Sequence, residues 1–498
     1  PYRVKRQHAI DSSDLPIIII ETDEFGIPYK NVRVRAHMGI IDNGPGNFNK
    51  PTDIYNIYNG NVSIEVRGES SSEFPKRSYR FETIDSSGDE IDVELLGMPA
   101  DDDWILSGPF ADKALFRNPM TFELASRFGG WQPRSRYCEI ILNGEPVGLY
   151  SLMEKIQRGS NRIDIGKGGY ILKYDKPGST LQFVYPKEED VLPEQVEYVE
   201  EYLKEYRATV FSNNFQHPEE GFRKYISDTS LVDYMIMNEF PKNCDGYVVS
   251  TYFYKDRSDR NSKIVYGPVW DNDLSYGNAI FQDGATSEGW HFHQYGYLLH
   301  ITRLLQDREF VNLFQERWTM ARNSFLHTDS ILSYIGNAVN FLEKSVDRNY
   351  YIWPVIDESI FYPAYLSVSY DDEISKMTDF IIRRLSWMDD NIDDIYYDLV
   401  VYSGLPEETS ENYFGFDVYP NPFDEEFTLT FTASRSQEIT VDIFSLSGQL
   451  LFSTIEIIEQ DNEQIRISGS QMMIAPGMYF MKVSNKEGLS VVKKIVKY

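Results

Sequence analysis

The chain has 498 residues, of which 42% are hydrophobic and 14% aromatic, and it carries a formal net charge of −29 with an isoelectric point of about 4.7. This length and apolar content predict two or three packed domains and exclude overall disorder. The negative charge repels phosphate backbones and anionic membranes, so nucleic acid is not an expected partner. No apolar run approaches the ~20 residues of a membrane span, and no transmembrane segment is predicted.

Residues 1–185 predict a strand-rich region with one helix. Its β-branched or alternating runs are typical of strands; they are "LPIIIIET", "NVRVRAHMGII", "GNVSIEVRG", "RSYRFETI", "YCEIILNGEPVGLYSLMEKI" and "GGYILKYD". The segment "DKALFRNPMTFELASRFG" has apolar residues at helical spacing and ends at Gly129, which predicts a helix that includes Lys113 and Arg117.

Residues 186–400 predict a helical region that contains one hairpin. Five segments carry an apolar stripe of period 3.6; they are "PEQVEYVEEYLKEYRATVF", "DTSLVDYMIMNEF", "REFVNLFQERWTMARNSF", "TDSILSYIGNAVNFLEKSVDRNY" and "DDEISKMTDFIIRRLSWMDDNI". The stretch from Asn243 to Gly277 instead predicts a β-hairpin with acidic residues at both ends. Together the two regions predict an α+β domain of residues 1–400 with two lobes, about 1–185 and 186–400.

The C-terminal part predicts a separate all-β domain. Residues 401–412 are polar and favour a linker. Short alternating strands over residues 413–498 favour a small immunoglobulin-like β-sandwich. The two cysteines, Cys138 and Cys244, are too few for a disulfide scaffold or a structural zinc site, and their spacing leaves open whether they pair.

Six blocks of residues 12–395 resemble, in the same order, the signature blocks of the CotH family, named for spore coat protein H. The blocks are "GNVSIEVRGESSSEFPKRSYRFET", "LLGMPADDDWILSGPFADKALFRNPMTFELASR", "RYCEIILNGEPVGLYSLMEKI", "GGYILKYDK", "NEFPKNCDGYVVSTYFYKD" and "GPVWDNDLSYGNA". The resemblance implies an atypical secreted protein kinase with a distorted, two-lobed kinase-like fold. Such an enzyme uses ATP and Mg²⁺ or Mn²⁺ to phosphorylate serine or threonine of partner proteins.

The tail resembles the C-terminal sorting domain of type IX secretion cargo, in "DVYPNPFDEEFTLTF", "VDIFSLSGQLL", "APGMYFMKV" and "VVKKIVKY". This second resemblance implies that the type IX machinery is a partner. It also implies that the protein is secreted or held at the outer-membrane surface of a Gram-negative bacterium, so a role in a spore coat is not expected.

The CotH resemblance assigns roles to the acids of the predicted hairpin. Phosphoryl transfer needs a group that orients the attacking hydroxyl and acids that hold a metal ion on the phosphates. By their match to the family blocks, Asp245 takes the first role and Asp271 the second, with Asp273 as a helper. The hairpin would bring these acids to one site. The alternatives are an Asx turn at Asp245 and a solvated loop at Asp271.

One position departs from the family pattern. Many family members carry an asparagine five residues after the first aspartate, suited to a second metal ion, and this chain has Ser250 there. A serine hydroxyl can bind Mg²⁺, but a neutral hydroxyl is a weak substitute for a carboxamide oxygen.

Five further residues are candidates for binding the nucleotide. Arg67 and Lys76 lie on what resembles a loop that covers the phosphates, and Lys113 and Arg117 would share one face of a helix. Glu154 would hydrogen-bond the nucleotide or pair with Lys113. The alternatives are solvated loop residues and ion pairs on a helix surface.

Three functions remain open from the sequence. The first is a secreted, metal-dependent protein kinase for serine and threonine. The second is a non-catalytic binding protein or scaffold at the cell surface, favoured by Ser250 and by the sparse supply of ATP outside cells. The third is a metal-dependent phosphohydrolase, which differs from the kinase in delivering the γ-phosphate to water.

Overall fold

The computed structural model describes residues 10–23, 26, 29–175, 181–260, 262–294, 299–361 and 363–396, and, in the C-terminal part, residues 414–419, 423, 426–433, 436–444, 450–458, 464–468, 472, 474, 477–485 and 490–497. These fall into two compact units. One unit comprises the described residues of Pro1–Leu203, Phe222–Gln294 and Asp307–Tyr397, and the other those of Lys204–Gly221, Tyr295–Gln306 and Asp398–Tyr498. The predicted linker, residues 401–412, lies outside the described residues.

The first unit begins with a closed barrel of seven strands. The strands up to residue 154 are β1 (Ile17–Thr22), β2 (Val34–Ile41), β3 (Tyr58–Arg67), β4 (Ser78–Ile84), β5 (Val93–Leu95), β6 (Met98–Asp101), β7 (Asp103–Ser107), β8 (Ser135–Leu142) and β9 (Glu145–Glu154). The barrel has the order β1-β2-β3-β4-β7-β9-β8, and β5 and β6 form a separate pair. Parallel pairing of β1 with β8 closes the barrel, and the other neighbours are antiparallel.

Apolar side chains from alternate positions of these strands fill the barrel interior, among them Met38, Ile64, Phe81, Trp104 and Leu152, all at most 1% exposed. Alternation of this kind follows from the period of two in a strand, which sends successive side chains to opposite faces. The strand-rich character predicted for this region is therefore confirmed. The two-lobed, kinase-like arrangement stays a prediction.

The predicted hairpin is present and belongs to a four-stranded antiparallel sheet. Its strands are β10 (Tyr170–Tyr174), β11 (Gln182–Tyr185), β12 (Thr251–Lys255) and β13 (Ile264–Tyr266), in the order β11-β10-β12-β13. Within the hairpin, Phe253 pairs with Tyr266 and Lys255 with Ile264. The start of β12 and the end of β13 therefore lie at the same end of the sheet.

The helical segments predicted for residues 186–400 are confirmed. The described helices are α1 (Arg117–Ser126), α2 (Pro193–Phe211), α3 (Asp228–Glu239), α4 (Leu299–Leu304), α5 (Arg308–Arg322), α6 (Thr328–Ile352) and α7 (Tyr370–Asn391). Ser227, Asp307 and Ser369 cap α3, α5 and α7 by accepting backbone N–H bonds, as side chains of these types do at helix starts.

The start of α1 was predicted wrongly. The helix begins at Arg117, so Lys113 precedes it and the two residues do not share a helix face. The Asp112 carboxylate accepts the backbone N–H groups of Ala114 and Arg117, and Leu115 has a left-handed φ of 70°. These features fix a turn just before the helix, where the apolar spacing alone suggested a continuous one.

The C-terminal strands form two sheets around one apolar core. Their bounds are β14 (Phe414–Tyr419), β15 (Glu426–Ala433), β16 (Gln437–Phe444), β17 (Leu450–Ile458), β18 (Gln464–Ser468), β19 (Gly477–Asn485) and β20 (Ser490–Lys497). One sheet has the order β14-β15-β18 and the other β17-β16-β19-β20. Phe427 and Leu429 of the first sheet share a buried cluster with Val441 and Met481 of the second. This is the predicted sandwich; its immunoglobulin-like topology stays a prediction.

A buried ion pair joins α3 to α7. Arg384 and Glu239 have fully buried side chains, and their nearest charged atoms are 3.3 Å apart. Arg384 also donates to the carbonyl oxygens of Glu239, Ser287 and Gly289, while Glu239 accepts the backbone N–H of His291. Charges removed from water persist only when they are paired and hydrogen-bonded in this way.

Replacing Arg384 tests this pair. We expect Arg384→Met to lower the free energy of unfolding by roughly 3–5 kcal/mol, because it leaves the Glu239 carboxylate buried without a counter-charge. The neighbouring Arg383 supplies a matched control, since its ion pair with Asp379 is exposed on the same helix and should contribute less than about 0.5 kcal/mol. Tryptophan fluorescence during urea unfolding reports on this unit, because all seven tryptophans lie between residues 104 and 387. Equal losses for Arg383→Met and Arg384→Met would contradict the assignment.

Candidate active site

The hairpin brings Ser250 and Asp271 together. Ser250 directly precedes β12, and Asp271 follows β13 by five residues. Because both positions lie at one end of the sheet, the Ser250 hydroxyl donates a hydrogen bond of 2.6 Å to Oδ2 of Asp271 across 21 residues of sequence. The serine that replaces the family asparagine is thus bound to the proposed metal-binding acid.

Asp245 lies in a turn whose hydrogen bonds come from Asn243. The Asn243 side-chain oxygen accepts the backbone N–H of Asp245 at 3.2 Å, and its amide group donates to the carbonyl oxygen of Trp270 at 3.3 Å. The Asx turn considered for Asp245 is therefore made by Asn243. This leaves the Asp245 carboxylate out of the turn and ties its loop to the loop that carries Asp271.

Asp273 is bound by a residue that the sequence did not single out. The Asn118 side-chain amide donates to Oδ1 of Asp273, and its carbonyl oxygen accepts the backbone N–H of Asn272 at 2.7 Å. Asn118 stands one residue after the start of α1, and nothing in its spacing marks it. The only signal was its place beside Arg117 in a block that resembles the family.

Asp271 and Asp273 line a small, mostly polar cavity of about 50 Å³. The residues around it are Arg67, Ser71, Phe74, Ser78, Ser107, Gly108, Pro109, Phe110, Ala111, Asn118, Phe122, Met153, Trp270, Asp271 and Asp273. Pockets that hold ligands of drug size have volumes of roughly 300–1,000 Å³. A nucleotide would therefore require the walls of this cavity to move apart.

The three carboxylates disfavour one another's ionisation. Burial, and then the negative charge of Asp271, raise the pKa of Asp245 to about 7. Burial and the charges of Asp271, Asp112 and Asp245 raise the pKa of Asp273 to about 8. Burial also raises the pKa of Asp271, against the hydrogen bond from Ser250. A bound cation would stabilise the ionised form of acids whose pKa values are raised in this way.

Arg67 is the predicted cation that reaches this cluster. Its guanidinium group lies 5.5 Å from the ring centre of Trp270, which stacks on Phe122 at 5.6 Å. Its positive charge lowers the pKa of Asp271 and Asp273, although burial outweighs it. The structure thus brings together Arg67, Ser250, Asp271 and Asp273, with Asp245 within electrostatic range.

The two lysines predicted to bind the nucleotide make their hydrogen bonds away from the acidic cavity. Lys76 is 1% exposed and donates 2.7 Å to Oδ1 of Asn349 on α6, and burial lowers its pKa to about 7. Lys113 is 2% exposed and donates to the carbonyl oxygens of Ile356 and Glu358 at 2.8 and 2.7 Å. Neither lysine lines the acidic cavity.

Arg117 and Glu154 are buried in ion pairs. Arg117 is fully buried and pairs with Asp112 at 2.6 Å and Glu373 at 2.8 Å. Glu154 pairs with Arg134 at 2.6 Å, not with Lys113 as considered above. Neither side chain lines the acidic cavity, so in this conformation both hold parts of the fold together.

The backbone around the acids is strained. Tyr247, Ser250 and Asp271 have φ values of 73°, 48° and 51°, in the left-handed region that side chains other than glycine rarely adopt. The Tyr247 hydroxyl donates 2.8 Å to the buried Glu239 carboxylate, which stabilises that conformation. Strain of this kind costs on the order of 1–3 kcal/mol per residue and is found mainly at functional sites.

The donor set fits a metal ion that is completed by a phosphate ligand, not an all-protein cage. Within the described residues, no three His, Cys, Asp or Glu side chains lie close enough to hold a metal ion by themselves. Mg²⁺ commonly takes one or two carboxylates and fills its other positions with water and substrate phosphates. Asp271 and Asp273 supply two such carboxylates. The buried amide nitrogen of Asn272, between them, has no partner among the described residues, so it could donate to a further oxygen ligand.

The structure also bears on the two cysteines and on the expectation that no segment spans a membrane. Cys138 and Cys244 are both buried thiols and form no disulfide. The described residues contain no helix that is both long enough and apolar enough to cross a bilayer.

The raised pKa of Asp245 predicts a pH-dependent stability. The pKa of Asp245 in the folded protein, about 7, exceeds its ordinary value of 3.8. Protonated Asp245 therefore favours the folded state, and the free energy of unfolding of the metal-free protein falls as the pH rises from about 4 through 7. We expect Asp245→Asn, which is neutral at every pH, to be more stable than the wild type at pH 8 by roughly 1–2 kcal/mol, and equally stable near pH 4.

Urea unfolding in the presence of a chelator at both pH values measures this difference. Asp259→Asn is the control: its exposed partner Arg257 lowers the pKa of Asp259, so the control should not gain stability at pH 8. If the free energy of unfolding of the wild type does not fall relative to that of Asp245→Asn between pH 4 and 8, the clustering of Asp245 with the other acids is wrong.

Comparison with known proteins adds family assignments to this geometry. The family model described as CotH kinase protein matches residues 64–388, more than half of the chain. The model described as secretion system C-terminal sorting domain matches residues 417–498. This tail indicates a protein that is secreted or held at the cell surface.

Two solved structures share limited similarity with the chain. Dimeric latent PorU from Porphyromonas gingivalis is 19% identical over 20% of this chain and 10% of its own, with a TM-score of 0.16. The Pseudomonas fluorescens alkylpurine DNA glycosylase AlkC, bound to DNA containing an abasic site analog, is 13% identical over 42% of this chain and 66% of its own, with a TM-score of 0.12. Scores this low bear on neither the fold nor the function of this chain.

No curated protein sequence matches the chain. The family assignment therefore rests on the two family models, which agree with the order of the sequence blocks and with the change from a mixed α and β region to an all-β tail. The chain belongs to the CotH kinase protein family and ends in a secretion system C-terminal sorting domain.

Proposed function

We propose that this protein is an atypical protein kinase that acts outside the cell, transferring the γ-phosphate of ATP to serine or threonine of protein substrates with Mg²⁺ or Mn²⁺. The observation that carries the proposal is the gathering of Asp245, Asp271 and Asp273 at one end of the hairpin. Asp271 and Asp273 beside Arg67, with Asp245 within electrostatic range, form a site where a metal-bound phosphate would relieve the repulsion among the three acids.

Asp245 is suited to accept a proton from the substrate hydroxyl. A general base works best when its pKa lies near the operating pH, and the pKa of Asp245 is about 7 in the metal-free site. Among the described residues, none donates a hydrogen bond to the Asp245 carboxylate, so the group is available to an incoming hydroxyl. Its loop is held by Asn243 and Tyr247 through backbone and hydroxyl contacts that leave the carboxylate uninvolved.

Asp271 and Asp273 would hold the metal ion, with the Ser250 oxygen as a weaker third ligand. When bound, the ion would supply the positive charge that a transferring phosphoryl group needs. Arg67 lines the same cavity and would contact phosphate oxygens, since guanidinium groups bind such oxygens strongly. Trp270 and Phe122, stacked beside Arg67, would keep water away from this edge of the site.

A non-catalytic binding protein is the second candidate, and two observations favour it. The acidic cavity measures only about 50 Å³, and the Ser250 hydroxyl is engaged with Asp271. A family member that had lost phosphoryl transfer could keep such a closed site as part of its structure. The two candidates differ in whether the acids are needed for any activity.

Incubation of the full chain with γ-labelled ATP and Mn²⁺ tests the proposal. We expect label on serine or threonine of the protein itself or of proteins from the culture medium, located by mass spectrometry. Asp271→Asn should reduce labelling by at least 100-fold, because the uncharged amide weakens the metal site. Ser250→Asn should increase it several-fold, because asparagine tolerates the left-handed φ of 48° and supplies a carboxamide oxygen.

The outcomes separate the candidate functions. Release of labelled phosphate into water, with none on protein, would indicate the phosphohydrolase. Absence of both nucleotide binding and labelling in the wild type and in Ser250→Asn would indicate the non-catalytic protein and overturn the kinase.

A further inference from the structure

The Asn118 side chain hydrogen-bonds two successive residues, Asn272 and Asp273, of the loop that carries Asp271 and Asp273. Its amide nitrogen donates to Oδ1 of Asp273, and its carbonyl oxygen accepts the backbone N–H of Asn272 at 2.7 Å. It also lines the acidic cavity. The backbone N–H of Asn272 can only donate, so the side-chain oxygen of Asn118 must face it and the amide nitrogen must face Asp273. The amide of Asn118 therefore has one possible orientation.

Helix α1 holds Asn118 rigidly against this loop. The preceding residue, Arg117, is fully buried and donates 3.1 Å to the carbonyl oxygen of Ser275. One turn later, Thr121 and Tyr276 share a hydroxyl hydrogen bond of 2.9 Å. These contacts fix the helix to the loop on both sides of Asn118, so Asn118 presents its amide to Asp273 from a fixed position.

We propose that Asn118 is a positioning residue for the metal site, acting by fixing one oxygen of Asp273 so that the other faces the bound cation. The proposal rests on the proposed function, because it assigns Asp273 to a metal ion. A second-sphere donor to a ligating carboxylate sets the direction of its free lone pairs, and such partners often affect metal affinity by 10- to 100-fold. It also places a carboxamide at Asp273, whereas Ser250, at the position that departs from the family pattern, is bound to Asp271.

The geometric role makes a prediction about which metal is affected. Mg²⁺ requires near-ideal octahedral ligands, whereas Ca²⁺ accepts six to eight oxygens in flexible arrangements. Loss of the hydrogen bond that orients Asp273 should therefore weaken the binding of Mg²⁺ much more than the binding of Ca²⁺. A general loosening of the fold would weaken both ions together.

Calorimetric titration of the full chain with the Mg²⁺ complex of a non-hydrolysable ATP analogue and, separately, with its Ca²⁺ complex tests this inference, because the phosphates supply the ligands that the two carboxylates leave open. We expect Asn118→Ala to weaken Mg²⁺ binding by at least 10-fold and Ca²⁺ binding by less than 3-fold. Thr121→Val is the matched control, because it removes another bond between α1 and the same loop without touching an acid. The control should change neither affinity by more than about 2-fold.

The failures are distinguishable. If the wild type binds neither metal–nucleotide complex, the metal role in the proposed function fails, and the inference fails with it. If the wild type binds Mg²⁺ and Asn118→Ala binds it equally well, or loses both ions equally, the inference alone is overturned. Asn118→Ser serves if the alanine variant does not fold, since its shorter side chain keeps a polar group; if neither folds, Asn118 is structural and the proposal is wrong.

Discussion

The repulsion among Asp245, Asp271 and Asp273 is the main constraint on the structure around the candidate active site. Burial and mutual charge raise the pKa of Asp245 to about 7 and that of Asp273 to about 8, so the metal-free site becomes less favourable as the pH rises through these values. Such an arrangement persists only if other interactions hold the loops in place.

Those interactions lie in buried networks around the site. On one side, Arg117 joins Asp112, Glu373 and the carbonyl oxygen of Ser275, and this fixes the loop of Asp271 and Asp273 to α1. On another, the pair of Arg384 and Glu239 holds the Tyr247 hydroxyl, two residues after Asp245. The left-handed φ of Tyr247 is maintained by the bond of its hydroxyl to Glu239, since a tyrosine seldom adopts such a backbone by itself.

Much of this arrangement could be predicted from local patterns. Alternating residues predicted the hairpin of β12 and β13, and its antiparallel pairing explains why Ser250 and Asp271 meet. Closure of the barrel could not be predicted, because β1 pairs in parallel with β8 about 120 residues later, and a strand pattern does not specify such a distant partner. The start of α1 was missed because the Asp112 side chain makes a turn that apolar spacing does not register.

The basic residues show a second limit of sequence reasoning. A lysine has the same apparent suitability for a phosphate wherever it occurs, yet Lys76 and Lys113 are bound by oxygens of Asn349, Ile356 and Glu358, all more than 240 residues away. Asn118 shows the converse, since an uncharged residue without a motif makes the most direct contact with Asp273. Which polar groups reach a site is decided by tertiary packing, and the sequence supplies only the candidates.

The proposed binding of one cation by Asp271 and Asp273 is tested most directly by anomalous diffraction at the manganese edge from a crystal soaked with MnCl₂ and an ATP analogue. We expect an anomalous peak for a manganese ion that lies about 2.0–2.3 Å from oxygens of Asp271 and Asp273, with the Asp245 carboxylate nearby. Full occupancy of the nucleotide without manganese at these acids, or manganese bound only at other surface carboxylates, would contradict it.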